Sequence, residues 1–145
     1  MEKIAVKLLR PGARIPTYGT DASAGADLYA CMQEKVEIPA GQSTMIPTGV
    51  AMEIPRGYAG LVFARSSMGA KRGLAPANKV GVIDSDYRGE LRVVLYNHSG
   101  ETQSIEPGER VAQLLIVPVF TPGFQETERL SETDRGAGGF GSTGK

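Results

Sequence analysis

The chain has one cysteine, one histidine and no net charge, and each shortage removes a class of function. Cys31 alone has no intrachain partner for a disulfide and no companions for a zinc site. It reads as a small buried hydrophobe in a reducing compartment. The 16 basic and 16 acidic residues cancel, so no overall field recruits nucleic acid or an anionic membrane. A polyanionic ligand would have to be met by local cations or a bound metal. Long apolar runs are missing too: nothing approaches a membrane span, and the first residues, through Pro11, lack the apolar stretch of a signal peptide. The expectation is a soluble, intracellular, cytoplasmic protein with no nucleic-acid or membrane partner. His98 sits in a turn-like run and is assigned no role.

What is present is a succession of short apolar segments punctuated by turns. At 145 residues the chain is one domain by size, long enough to bury about two-thirds of its unfolded surface. Runs such as Val36-Glu37-Ile38, closed by Pro39-Ala40-Gly41, and Tyr58 to Arg65, opened by Pro55-Arg56-Gly57, read as strands. Ser43 to Pro47 and Val50 to Ile54 are expected to pair around Thr48-Gly49. A single helical turn is expected from Ser66-Ser67, whose hydroxyls can cap it, to Gly73, which stops it. Near-regular spacing of strands and Pro-x-Gly turns predicts an all-β sandwich or barrel. Beyond Pro122-Gly123 the chain turns polar and then glycine-rich, a composition that cannot form a core by itself.

One stretch organises the rest. Between Val80 and Leu95 an apolar run stops at Asp84-Ser85-Asp86-Tyr87-Arg88-Gly89-Glu90 before resuming, the pattern of a hairpin with a polar apex. Asp84 either bonds the turn backbone or serves as a base beside a ligand. Arg65-Ser66-Ser67, at the head of the helical turn, offers N–H groups to an anion. In the tail, Arg135, Phe140, Ser142 and Thr143 stand among glycines. That composition is either plain disorder or a nucleotide lid in which glycine backbone, hydroxyls and a guanidinium meet phosphates while an aromatic ring stacks on a base. It is not a Walker loop. With Asp27, Asn78 and Gln113, the inventory suits hydrolysis of a nucleoside triphosphate.

Five runs in order then resemble the homotrimeric all-β deoxyuridine triphosphate nucleotidohydrolases (dUTPases). They are Ala24-Gly-Ala-Asp-Leu-Tyr-Ala30, Ala64-Arg-Ser-Ser-Met68, Asn78-Lys-Val-Gly-Val-Ile-Asp-Ser-Asp-Tyr-Arg-Gly89, Gly108-Glu-Arg-Val-Ala-Gln113 and Arg135-Gly-Ala-Gly-Gly-Phe-Gly-Ser-Thr143. The resemblance implies a distorted jelly-roll-like β-barrel of the β-clip type over residues 1–121, with one short helix. A flexible glycine-rich arm over 122–145 would then reach a neighbouring subunit of a homotrimer as its phosphate-binding lid. It implies hydrolysis of dUTP to dUMP and pyrophosphate, lowering dUTP and supplying dUMP for thymidylate synthesis. Asp84 would be the base for the attacking water, and Asp27 would hold Mg²⁺ through water. Arg65, Ser66, Ser67 and Gln113 would serve the phosphates. Asn78, Val82 and Ile83 would read the uracil edge, and Tyr87 would pack under the deoxyribose. Phe140 would stack over uracil, while Arg135, Gly141, Ser142 and Thr143 would close over the phosphates, Arg135 with a catalytic part. A triphosphate carries a charge of roughly −4, which a neutral protein holds only with Mg²⁺ and converging cations.

Two positions depart from the family's usual pattern: Ser67 stands where many members have glycine, and Ala64 where many have proline. The nearest rival is a dCTP deaminase, similar in its Arg-Ser-Ser and Ile-Asp stretches. Its catalytic glutamate would fall at Val94, which cannot relay protons. A non-catalytic nucleotide-binding jelly-roll module is the other alternative, and the presence of both Asp84 and Arg135 speaks against it.

Overall fold

A computed structural model describes residues 3–141. These residues form twelve strands and one helical turn, so the all-β expectation holds. In chain order the strands are β1 (Ala5–Leu8), β2 (Thr17–Tyr18), β3 (Ala26–Tyr29), β4 (Val36–Ile38), β5 (Ser43–Pro47) and β6 (Val50–Glu53). After β7 (Tyr58–Phe63) and a wide, π-type turn at Ser67–Lys71 come β8 (Leu74–Pro76), β9 (Gly81–Ile83), β10 (Arg92–Asn97), β11 (Gln103–Ile105) and β12 (Arg110–Pro118). All pairings are antiparallel. The largest sheet runs β2-β3-β12-β7-β9, with β5-β10-β8, β1-β6 and β11-β4 closing around it.

Alternation decides which side faces inward. In β10, Val93, Leu95 and Asn97 are buried while their neighbours open outward. They join Leu28, Ile38, Ile46, Leu74, Ile105 and Val111, none more than 2% exposed, in one core. Burying each aliphatic side chain contributes about 1.5–3 kcal/mol, opposed by chain entropy. Asn97 lies wholly inside because its amide donates to the carbonyls of Ile38 and Glu101, at 2.8 and 2.7 Å, and accepts from Ser99. Its satisfied amide ties β10 to the end of β4.

Two expected pairings fail. β5 pairs with β10, and β6 with β1, so Thr48-Gly49 is a corner between sheets and not a hairpin. Likewise β9 pairs with β7, while β10 pairs with β5 and β8, so residues 84–91 cross from one sheet to another. The two corners are fastened together. Thr48 Oγ1 donates to the Leu91 carbonyl at 2.6 Å, and Leu91 N–H to the Val50 carbonyl at 2.8 Å. Gly49, at φ +68°, takes the left-handed conformation that the corner needs; a Cβ there would also stand 2.7 Å from that of Ala13.

The helical turn differs in detail from expectation. Ser66 already has helical angles and its hydroxyl makes no cap bond, while Ser67 Oγ accepts from Arg65 Nη1 at 3.2 Å. Gly73, at φ +65°, does end the turn. Arg72 fastens it to the next layer, donating to Glu109 and to the Ser104 carbonyl. Past β12 no described residue is in a strand, and the side chains of Phe120, Phe124, Leu130 and Phe140 are exposed. No helix among the described residues is long and apolar enough to cross a membrane.

Candidate active site

The first cluster is built on the large sheet. Asp27 of β3 stands directly opposite Gln113 of β12, so both side chains emerge on one face. Arg110 belongs to the same group because of a bulge. In a regular strand, residues three apart point to opposite faces. The register slips between Arg110 and Ala112, which returns Arg110 to the Asp27 side. Asp27 is thereby held by two guanidinium groups: Arg65 Nε donates to Oδ1 at 2.7 Å and Arg110 Nη1 to Oδ2 at 3.2 Å. Gln113 Nε2 donates to the Ala64 carbonyl at 2.9 Å, fixing the loop that carries Arg65 and Ser66. Together with Gly19, Ser23, Ala24 and Gly25 these groups line a cleft of ≈ 340 Å³.

Arg110 is absent from the sequence expectations. Its place in Gly-Glu-Arg-Val-Ala-Gln, three residues before Gln113, was the available signal, hidden by the bulge that brings the two together.

The second cluster surrounds Asp84, one residue past the end of β9 and exposed. Val82, Ile83, Asp84 and Tyr87 line a cleft of ≈ 610 Å³ with Met45, Gly89, Glu90, Leu91 and Arg92. The Tyr87 ring lies against Gly89 so closely that a Cβ there would stand 2.6 Å from Cζ, and its hydroxyl donates to the Glu90 carbonyl at 3.0 Å. Arg88 bonds the carbonyls of Ser85 and Tyr87, closing the loop on itself. Asn78 lies toward the opposite end of β9, its Nδ2 beside Gly81, and does not line this cleft. Lys79 next to it has φ +66°, a conformation rare for a side chain of that size.

Glu90 is the electrostatic anchor of this loop. Its carboxylate, 6% exposed, accepts from Arg10 at 2.5 and 3.0 Å, from Gly49 N–H at 2.8 Å and from Arg92 Nε at 3.1 Å. Arg10 chiefly, then Gly49 N–H and Arg92, overcome the desolvation and hold its pKa down to about 2. Reciprocally, Glu90 raises that of Arg10.

A third group lies on the arm. Arg135 Nε donates to the Gly138 carbonyl at 2.8 Å, and Phe140, at φ +52°, is exposed beside Gly141. Ser142 and Thr143 fall outside the described residues.

The two clefts stand apart on the chain. The row through Asp27 and Gln113 crosses β7 at Phe63, whereas Ile83, the residue before Asp84, pairs with Gly60. Four residues along the strands and three strand spacings across put Asp84 about 20 Å from Asp27. The resemblance implies a homotrimer with active sites shared between subunits, and within one chain the sheet sets the two clefts apart.

Magnesium must be judged on the donors at hand. No group of three or more His, Cys, Asp or Glu side chains among the described residues could hold a metal ion. Asp27 is a lone carboxylate with a guanidinium on each oxygen. That set makes no all-protein cage, and a Mg²⁺ beside it would keep most of its waters and draw its other ligands from a phosphate.

An antiparallel β-barrel with a doubly cationic cleft on one face and an exposed carboxylate at a second cleft defines an all-β protein equipped for an anionic substrate. Comparison with known proteins narrows this. The dUTPase family profile matches residues 12–144. A deoxyuridine 5'-triphosphate nucleotidohydrolase of Acinetobacter baumannii is 48% identical, with 99% of each chain covered. One from Shigella flexneri is 44% identical over 100% of this chain and 99% of its own. Among solved structures, the Staphylococcus bacteriophage 80alpha dUTPase with dUPNHPP superposes with a TM-score of 0.91 at 32% identity, covering 100% of both chains. A mutant dUTPase from phage phi11 of S. aureus, described with a structural Mg(II) ion, gives a TM-score of 0.79 at 30% identity, covering 88% of this chain and 98% of that one. The chain belongs to the dUTPase family.

Proposed function

We infer that this protein is a dUTP diphosphatase, hydrolysing dUTP to dUMP and pyrophosphate. The observation that carries the reading is its full-length likeness to enzymes named deoxyuridine 5'-triphosphate nucleotidohydrolase. A deaminase is not favoured.

In the proposed mechanism Asp84 orients a water and takes its proton as the oxygen bonds the α-phosphorus. The bond from that phosphorus to the bridging oxygen breaks, and pyrophosphate leaves. Arg65, Ser66 and Gln113 receive the phosphates, with the Ser67 hydroxyl bracing Arg65. Arg110 joins them as a cation beside the same cleft. Tyr87 takes the deoxyribose, and Val82, Ile83 and Asn78 the uracil. Asp27 would hold magnesium through water; when bound, the ion neutralises phosphate charge and polarises the α-phosphoryl group.

A general base works within hydrogen-bond reach of its proton, directly or through one water. The separation of about 20 Å between Asp27 and Asp84 supports a site shared between copies of the chain, one lending the Asp27 cleft and another the Asp84 cleft. A homotrimer satisfies this, with a body over 1–121 and an arm over 122–145 that carries Arg135, Phe140, Gly141, Ser142 and Thr143 to a neighbour as a lid. Action in the cytoplasm fits the unpaired Cys31.

The test is a product assay with dUTP, dCTP, dTTP and UTP in the presence of Mg²⁺. Pyrophosphate from dUTP alone is expected. Ammonia from dCTP, or binding without turnover, would overturn the reading.

A further inference from the structure

Glu90 stands at the meeting of three chain segments. Its side chain accepts from Arg10 beyond β1, from Gly49 in the corner between β5 and β6, and from Arg92 at the start of β10. Its own carbonyl accepts the Tyr87 hydroxyl at 3.0 Å. The ring of Tyr87 in turn rests on Gly89, the residue just before. One residue therefore grips the body of the fold with its carboxylate and the candidate sugar platform with its backbone.

We propose that Glu90 is the positioning residue for sugar selectivity: by fixing the backbone at 89–90 it fixes the Tyr87 ring against which the deoxyribose lies. The inference rests on the dUTP diphosphatase reading and deepens it. A ring held by one hydroxyl bond on an exposed loop would yield to a 2'-hydroxyl by a small shift. A backbone pinned to two other segments, through Arg10 and Gly49, resists that shift, so the added oxygen meets a fixed surface. Displacement of a positioning group by about 1 Å is enough to change rates by up to about 100-fold. Glu90 touches neither water nor phosphorus in this scheme, and its effect passes through Tyr87.

The experiment compares kcat and KM for dUTP and UTP in the full-length protein and in Glu90→Ala, Glu90→Gln, Arg10→Ala and Tyr87→Phe, with folding checked by circular dichroism. In Glu90→Ala the dUTP-over-UTP ratio of kcat/KM is expected to fall by about tenfold or more, chiefly through KM. Glu90→Gln, which keeps an acceptor for Gly49 N–H, should recover part of the ratio. Tyr87→Phe, which cuts the bond to the Glu90 carbonyl, should reproduce the loss. If Glu90→Ala does not fold, Arg10→Ala decides, because it withdraws the bidentate partner and leaves the carboxylate solvated. An unchanged ratio in the folded variants overturns the proposal. Absence of dUTP turnover in the unaltered protein would instead overturn the functional reading beneath it.

Discussion

A Cβ added to Gly25 would lie 2.6 Å from Oε1 of Gln113 and 3.1 Å from its Cβ. The absence of a side chain at 25 is thus what lets the Gln113 amide stand beside Asp27 while donating to the Ala64 carbonyl. Gly25→Ala is predicted to displace Gln113 and to lower kcat/KM for dUTP by about tenfold or more, with a smaller change in melting temperature. Steady-state kinetics beside thermal melts will check it; full activity in the variant would remove Gln113 from the site.

Replacing Asp84 with Asn keeps the shape of the side chain and removes the proton acceptor. Turnover of dUTP is expected to drop by about 10²–10⁴-fold while affinity for a non-hydrolysable dUTP analogue stays close to normal. Calorimetric titration and single-turnover assays measure the two halves of the claim. Near-normal turnover would sink the role of Asp84 as base.

A site divided between copies can be rebuilt from two impaired variants. Asp84→Asn and Gln113→Ala, each of low activity alone, are unfolded together, refolded as a mixture and assayed. With random assortment about a quarter of sites regain both sound halves. No recovery of activity in demonstrably mixed oligomers would place both halves in one chain.

The Glu90 anchor sets a pH limit. Its carboxyl is held down to about 2 in the fold, so the stabilisation it gives is complete above the unfolded carboxyl value near 4.5 and is lost as pH falls toward 2. Because Arg10 and Arg92 open to solvent, the contribution is discounted to on the order of 1–2 kcal/mol. Urea melts between pH 2 and 6 should show a decline in that window that Glu90→Gln flattens. A parallel decline in both proteins would assign the effect to other carboxylates.

Deleting Arg135 to Lys145 removes no strand and no core residue among those described. The shortened protein should keep its fold and assembly yet lose most activity, since the arm supplies phosphate contacts. Circular dichroism, sizing and kinetics together check this. Unfolding on truncation would mean the segment is structural.

Local chemistry was legible in the sequence; long-range pairing was not. Pro-Gly turns and the alternation in Val93, Leu95 and Asn97 mark strands wherever one side meets the core. Strands β5 and β6 are adjacent in sequence, yet β5 pairs with β10 and β6 with β1, while Ile46 and Val50 both enter the one core, a partner choice that strand propensity alone does not set. The candidate residues were readable as types: a carboxylate after a strand, cations near hydroxyls. Their division between two clefts follows from sheet order and the register of β12 and β9, which no short motif encodes. The pairing of Asp27 with Arg110 depends on a bulge one residue long, and Glu90 looked like an ordinary polar residue until its three donors were assembled around it.

The distance between Asp27 and Asp84 also concerns the moment of synthesis. On the proposed sharing of the site, a single chain leaving the ribosome would carry two half-sites, so folding alone would not switch the protein on. Activity would then appear only as copies meet, with a kinetic order above one in chain concentration, and the abundance of the protein would become a control on its own onset.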